Sequence, residues 1–325
     1  MSMNSVPVLD AAAVARLLPM RECIGAMERA FRALAAGQTV QPLRLVVRLP
    51  DGSGALYCMP ALLGHGEDGA LAVKLITLFP GNARTDRETH QGVIVLFDAS
   101  HGGVRALIDG ASVTAIRTAA VSGLATRLLA RPDASVLAML GAGVQAGSHL
   151  EAMLAVRPIR QLRVWSRTAR HAREFAEAAF ERHGVDVATE ASPESAVRDA
   201  HIVCTVTAAA DPVVRGEWVA PGTHINAVGA STAGTRELDT ALVLRSRVFV
   251  DSRTSALAEA GDLLIPIAEG ALTDGHIRGE LAELVSGRVA GRTNEEEITI
   301  FESLGLAIED AAAALYIHEK LNAAS

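Results

Sequence analysis

The sequence predicts an α/β protein in which a parallel sheet covered by helices follows an antiparallel β-meander. Three observations predict it. From residue 112 onward, apolar β-runs alternate with helical runs, the pattern of a parallel sheet with helices on both faces. Before that point, β-runs are joined by short turns such as DGSG and ASHGG, the pattern of hairpins. At the start of the alternating region, a glycine-rich turn leads from an apolar strand into a helix.

The elements follow in order. Met20 to Ala36 carries Ile24, Met27, Phe31 and Leu34 at helical spacing, and Gly37 stops the helix. LRLVVRLP, DGSG and ALYCMPALL read as a hairpin, LAVKLITLF as the next strand, and VIVLFD, ASHGG and VRALID as a second hairpin. SVTAIRTAAVSGLATRLLA is helical, with Ile116, Ala120, Leu124 and Leu128 on one side, Ser112 or Thr114 as its cap and Pro132 as its end. Then come ASVLAML, a helix over 144–156, RQLRVWS, a helix over 168–183, VDVAT, a short helix, HIVCTVT, THINAVGA and SRVFVDS. SLGLAIEDAAAALYIHEKL reads as a long amphipathic helix.

Composition narrows the function. The chain has 325 residues, enough for two domains of ordinary size, and its 50% hydrophobic content supports a sizeable core. With a net charge of −7, 3% aromatics and no basic stripe, nucleic-acid binding is not expected. No apolar stretch reaches the ~18 residues of a membrane span, and the N-terminus lacks the basic-then-apolar order of a signal peptide. Three dispersed cysteines, with no Cys/His cluster, argue against a metal or a disulfide framework and for reduced thiols in a cytoplasmic protein.

The turn itself reads Gly141-Ala142-Gly143-Val144-Gln145-Ala146. Gly141 permits the tight turn, Gly143 lets the backbone approach a pyrophosphate, and Ala146 is small enough for the helix to lie close to the strand. The helix start offers unpaired N–H groups to phosphate. This is a Rossmann fingerprint, with Gly141, Ala142, Gly143, Val144 and Gln145 as cofactor-binding residues. The second strand ends in Val164-Trp165-Ser166-Arg167-Thr168 with no carboxylate. Ser166 and Thr168 can hydrogen-bond a 2′-phosphate and Arg167 can pair with it, so NADPH is expected, with NADH possible.

Lysine is used twice in the chain, at Lys74 and Lys320; every other cationic side chain is arginine. In LAVKLITLF, Lys74 shares a strand face with Ala72, Ile76 and Leu78. Periodicity alone fits equally a lysine reaching solvent from an edge and a lysine placed in a site.

An ordered set of blocks resembles the ornithine cyclodeaminase/mu-crystallin family, nearest its mu-crystallin (ketimine reductase) branch. The blocks are QPLRLVV, VKLITLF, THQGVIVLFD, LIDGASVTAIRTAAVSGLAT, LGAGVQA, VWSRT, GEWVAPGTHINAVGAS, RELD, VDS, AGDLL and SLGLAIED. The resemblance implies a substrate-binding and dimerisation domain over 1–114, completed by 300–325 with the C-terminal helix, and a Rossmann domain over 115–299. It implies that Arg44, Lys74 and Arg117 are the cations at the substrate carboxylate and the reaction centre. Thr89 and His90, together with Arg117, would be cofactor contacts from the first domain. Thr207 and Val228 would lie near the nicotinamide, and Glu259 would line the substrate pocket. Without the resemblance, Arg44 also reads as a solvent-facing strand residue, Arg117 as a surface arginine and Glu259 as a solvated helix residue.

In the cyclodeaminases of this family an acidic residue follows the fifth strand of the nucleotide domain. Here that segment is Gly229-Ala230-Ser231. A serine at its normal pKa is no general base near neutral pH. Ser231 therefore suits reduction of a preformed cyclic imine, which needs only a hydride and a proton. The expected substrates are Δ1-piperideine-2-carboxylate and Δ1-pyrroline-2-carboxylate, reduced to L-pipecolate and L-proline by a homodimer. Ornithine cyclodeaminase, alanine dehydrogenase and a non-enzymatic binder of thyroid-hormone-like small molecules are the alternatives.

Overall fold

The computed structural model describes residues 6–64, 66 and 69–323, the side chains of Ala83 and Arg84 excepted. The first five and last two residues of the domain expected over 1–114 and 300–325 lie outside the described residues. The chain divides into two compact units, Met1–Thr118 with Gly305–Ser325, and Ala119–Leu304.

The path begins with β1 (Val8–Leu9), α1 (Ala11–Leu17) and α2 (Met20–Ala35). The Asp10 carboxylate caps α1 by accepting the Ala13 N–H at 2.9 Å. Strands β2 (Thr39–Val40), β3 (Leu45–Arg48), β4 (Ala55–Leu63), β5 (Ala70–Leu78), β6 (His90–Asp98) and β7 (Val104–Asp109) follow. Helix α3 (Gly110–Leu129) carries the chain into the second unit. There it runs through β8 (Val136–Leu140), α4 (Val144–Val156), β9 (Gln161–Trp165), α5 (Ala169–His183), β10 (Asp186–Thr189), α6 (Pro193–Val197), β11 (Ile202–Thr205) and β12 (His224–Ala227). It continues through α7 (Thr240–Leu244), β13 (Arg247–Val250), α8 (Arg253–Glu259), α9 (Gly261–Ala268), β14 (Ile277–Glu280), α10 (Leu281–Val285) and β15 (Thr299–Glu302), and returns to the first unit as α11 (Ala307–Ala323).

Among the described residues of the first unit, one sheet has the order β1-β7-β6-β5-β4-β2, with β3 also on β4. Strands β4 to β7 are antiparallel neighbours, as the turn pattern predicts. Helices α2 and α11 pack on each other, and α11 lies on β4, β5 and β6. The buried stripe of α2 includes Ile24, Met27 and Phe31; each fully buried side chain of this size contributes about 1.5–3 kcal/mol of apolar transfer.

Two local expectations are corrected. The first turn of α3 is capped by Asp109, whose carboxylate accepts the Ser112 N–H at 2.7 Å, while the Thr114 hydroxyl donates back to the Gly110 carbonyl. The helix therefore starts at Gly110, and neither Ser112 nor Thr114 caps it. The C-terminal helix begins at Ala307 rather than Ser303, and residues 307–314 are buried on every side. It is amphipathic only beyond that point.

The second unit's sheet, among the described residues, is eight parallel strands in the order β10-β9-β8-β11-β12-β15-β13-β14. Strands β11, β12 and β15 are buried along their whole length, as strands covered on both faces are. From β8 the chain builds outward first through β9 and β10, then in the opposite direction through β11 and β12. The crevice outside the carboxyl ends of β8 and β11 is thus the topological switch point, where sheets of this kind hold their ligands.

Candidate active site

At the switch point, β8 ends in Leu140 and α4 begins at Val144. Gly141 has φ +118°, and a Cβ there would come within 2.8 Å of the Val206 carbonyl oxygen, so only glycine fits. Gly143 is the N-cap of α4 and no side chain caps the helix, which leaves its first N–H groups directed outward. A Cβ on Gly143 would meet nothing within 4 Å, so the space in front of the helix is open to a phosphate. Ser166, Arg167 and Thr168 follow β9; Arg167 and Thr168 are exposed and Ser166 half-buried. Thr207 and Val228 follow β11 and β12. The residues of the second unit expected to bind the nucleotide therefore fit a dinucleotide, with backbone donors that a pyrophosphate could take and a cation at the end of the second strand. Ser231 is half-buried in the loop after β12, and Glu259 is the last residue of α8.

The first unit holds a buried group of charges. Lys74 faces inward from the middle of β5 and is 2% exposed, with Met59 and Ile94 as its cross-strand neighbours. Its Nζ lies 2.8 Å from Asp310 Oδ2 and 3.4 Å from Thr114 Oγ1. Arg117, on α3, donates from Nε to Asp310 Oδ1 at 3.0 Å and from Nη1 to Glu309 Oε2 at 2.7 Å. Arg44 donates from Nη2 to the Gly305 carbonyl at 3.1 Å. The Gln41 side chain accepts the Ile308 N–H at 3.2 Å, fixing the start of α11, which supplies both carboxylates. The structure thus brings Lys74, Arg117 and Arg44 together around one helix end. Thr89 and His90 stand at the amino end of β6, with Thr89 Oγ1 3.1 Å from His90 Nδ1.

Burial pushes the Lys74 amine down to about 8; the Arg117 and Arg44 charges push the same way, and Asp310 opposes them. Burial also works against the Arg117 charge, but Asp310 and Glu309 outweigh it and hold that guanidinium above its ordinary value. Burial lowers the His90 imidazole, and the Lys74 charge adds to the effect. A lysine near 8 can exchange a proton at physiological pH, which an ordinary lysine does poorly.

Sequence reasoning missed Asp310, Glu309 and Thr114. The signal was present in SLGLAIED: two adjacent carboxylates between Ile308 and a run of alanines, on a helix turn with no polar face. Acids in such a position require buried cations. It also missed Glu237, which is fully buried and accepts both the N–H and the hydroxyl of Thr207.

The sequence model of the ornithine cyclodeaminase/mu-crystallin family matches residues 5–325. The chain is 42% identical to the ketimine reductase mu-crystallin of Mus musculus, over 87% of this chain and 86% of that protein. A solved Thermococcus litoralis Δ1-pyrroline-2-carboxylate reductase, in complex with NADH and L-proline, superposes with a TM-score of 0.95 at 39% identity, covering 98% of each chain. An archaeal alanine dehydrogenase dimer with bound NAD superposes with a TM-score of 0.92 at 31% identity, covering 98% of this chain and 97% of that one.

Proposed function

The chain belongs to the ornithine cyclodeaminase/mu-crystallin family, and from that membership we propose that it is an NAD(P)H-dependent reductase of cyclic ketimines. It converts Δ1-piperideine-2-carboxylate and Δ1-pyrroline-2-carboxylate to L-pipecolate and L-proline. The observation that carries this reading is the buried Lys74–Asp310 pair beside Arg117 and Arg44. Lys74, Arg117 and Arg44 stand around Asp310 and Glu309, a cation-rich group that suits a substrate carboxylate.

When bound, the reduced nicotinamide supplies the hydride. The chain's own residues do the rest. Gly143 and the N–H groups that open α4 hold the pyrophosphate, with Ala142, Val144 and Gln145 shaping the turn. Ser166, Arg167 and Thr168 take the 2′-phosphate, so NADPH is preferred and NADH is accepted. Thr207 and Val228 border the nicotinamide, and Thr89 and His90 add cofactor contacts. Arg44 is the fork offered to the substrate carboxylate. Arg117, clamped through Nε and Nη1, acts as a fixed charge. Lys74 would supply the one proton that the ring nitrogen takes up when the C=N double bond becomes single, and would regain it from solvent. Asp310 holds Lys74 in place. Ser231 orients the substrate without acting as a base, and Glu259 lines the pocket.

The protein acts as a homodimer through the sheet face opposite Lys74. On that face Leu45, Val47, Leu56 and Leu71 are 60%, 53%, 39% and 38% exposed, and Val47 pairs directly with Leu56. A contiguous apolar surface of this kind marks an interface. Among the described residues no helix is long and apolar enough to cross a membrane. Cys23, Cys58 and Cys204 are free thiols, which supports a cytoplasmic setting. The test is reduced-nicotinamide oxidation with each imine, run beside ornithine with NAD and pyruvate with ammonia. Turnover with an imine is expected; turnover only with ornithine or pyruvate would transfer the protein to another activity of the family.

A further inference from the structure

We propose that Glu237 is a positioning residue that ties together the two loops bordering the nicotinamide, a role that rests on the reductase reading above. Its Oε1 accepts the Thr207 N–H at 2.7 Å and the Thr207 hydroxyl at 2.6 Å, and its Oε2 accepts the Gly229 N–H at 2.7 Å. One carboxylate therefore bridges the loop leaving β11 and the loop leaving β12. Both loops lie on the carboxyl side of the sheet, in the half away from the adenine-side residues of β9.

The site is built for this carboxylate. Glu237 is fully buried. Its own N–H donates to Asp262 Oδ1 at 2.9 Å, and its carbonyl accepts from Val213 and Val214 at 2.8 and 2.9 Å, so its backbone is held on both sides. A Cβ on Gly229 would lie 2.6 Å from Glu237 Cδ and 2.1 Å from the Thr207 carbonyl oxygen; only glycine lets the second loop close on the first. Three donors converge on its two oxygens, which suits a carboxylate, an acceptor only. A glutamine could still accept from Thr207 through its carbonyl, but its amide would confront the Gly229 N–H donor to donor. Burial raises the Glu237 carboxyl, and hydrogen bonding from Thr207, Thr205 and Gly229 counters it. Burial and the Glu237 charge raise the neighbouring Asp262, and burial with the charges of Asp262, Glu237 and Asp251 raises Glu302.

The test compares Glu237→Gln with the parent in two binding titrations without substrate, NADPH and 2′,5′-ADP, alongside kinetics and a thermal melt. The adenine-side fragment meets only the α4 turn and the β9 end. The expected result is NADPH affinity weakened about tenfold, the loss of one charge-assisted hydrogen bond, with 2′,5′-ADP affinity unchanged. KM for NADPH should rise while KM for the imine does not. Equal weakening of both ligands, or no change in either, overturns the positioning role. If Glu237→Gln does not fold, Thr207→Val keeps the volume and both backbone donors and removes one of the three bonds. It should weaken NADPH about threefold and spare 2′,5′-ADP, and an unchanged NADPH affinity there overturns the proposal. Failure of the parent itself to bind NADPH or reduce an imine refutes the reductase reading instead.

Discussion

Asp310→Asn removes the carboxylate that joins Lys74 to Arg117 and leaves two buried cations facing a neutral amide. The Lys74–Asp310 contact is 2.8 Å, with the side chains 2% and 1% exposed, so solvent screens it little. Breaking one partner of such a pair costs about 3–5 kcal/mol. At 1.36 kcal/mol per pKa unit, even the lower figure, expressed on the lysine, moves its titration by about 2 units. The groups facing Lys74 are Asp310 from α11, Arg117 and Thr114 from α3, Arg44 from the segment before β3, and His90 from β6. Of these only Asp310 raises the lysine, and Arg117 and Arg44 lower it. The sign follows: reduction needs protonated Lys74, so activity falls as pH rises through the lysine's pKa. In the parent that limb lies near about 8; in Asp310→Asn it should lie near ~6. At pH 7 the protonated fraction alone then lowers kcat/KM about tenfold. The assay is kcat/KM for the imine against pH, with cofactor saturating. A basic limb that stays in place while the protein remains folded would refute the reasoning.

Three further outcomes follow from the same geometry. Lys74→Met should lose nearly all turnover, by a factor of about 10³, while NADPH affinity measured by fluorescence stays near the parent value; near-parent turnover sinks the catalytic role of Lys74. Arg167→Ala should weaken NADPH about tenfold or more and leave NADH nearly unaffected, so the ratio of the two kcat/KM values is the readout, and an unchanged ratio removes Arg167 from cofactor choice. Val47→Glu combined with Leu56→Arg should shift the protein from dimer to monomer in light scattering, because it places charge on the exposed apolar face; an unchanged mass puts the interface elsewhere.

The parts of the fold that were legible in the sequence are those written in contiguous residues. Gly141, Gly143 and Ala146 announce a turn, a phosphate cradle and a tight helix contact within one short run. The antiparallel strands announce themselves by DGSG and ASHGG. Strand parity placed Lys74 with Ala72 and Ile76, the face that proves to be buried. What stayed hidden depends on long-range order. The strand Thr299–Glu302 inserts between β12 and β13, although it follows both in the chain, and nothing local in ITIFE specifies that place. Asp310 bonds Arg117 across a separation of 193 residues, so neither partner signals the other. Glu237 likewise reads as an ordinary acid before a turn. Its purpose becomes visible only when the sheet brings Thr207 and Gly229 side by side.

The most direct test of the account is to incubate the protein with Δ1-pyrroline-2-carboxylate and NADPH and to quantify L-proline against cofactor oxidised. One L-proline per NADPH, lost in Lys74→Met, is the predicted result. Absence of L-proline from Δ1-pyrroline-2-carboxylate and of L-pipecolate from Δ1-piperideine-2-carboxylate, with both cofactors and from a protein that binds NADPH, contradicts it.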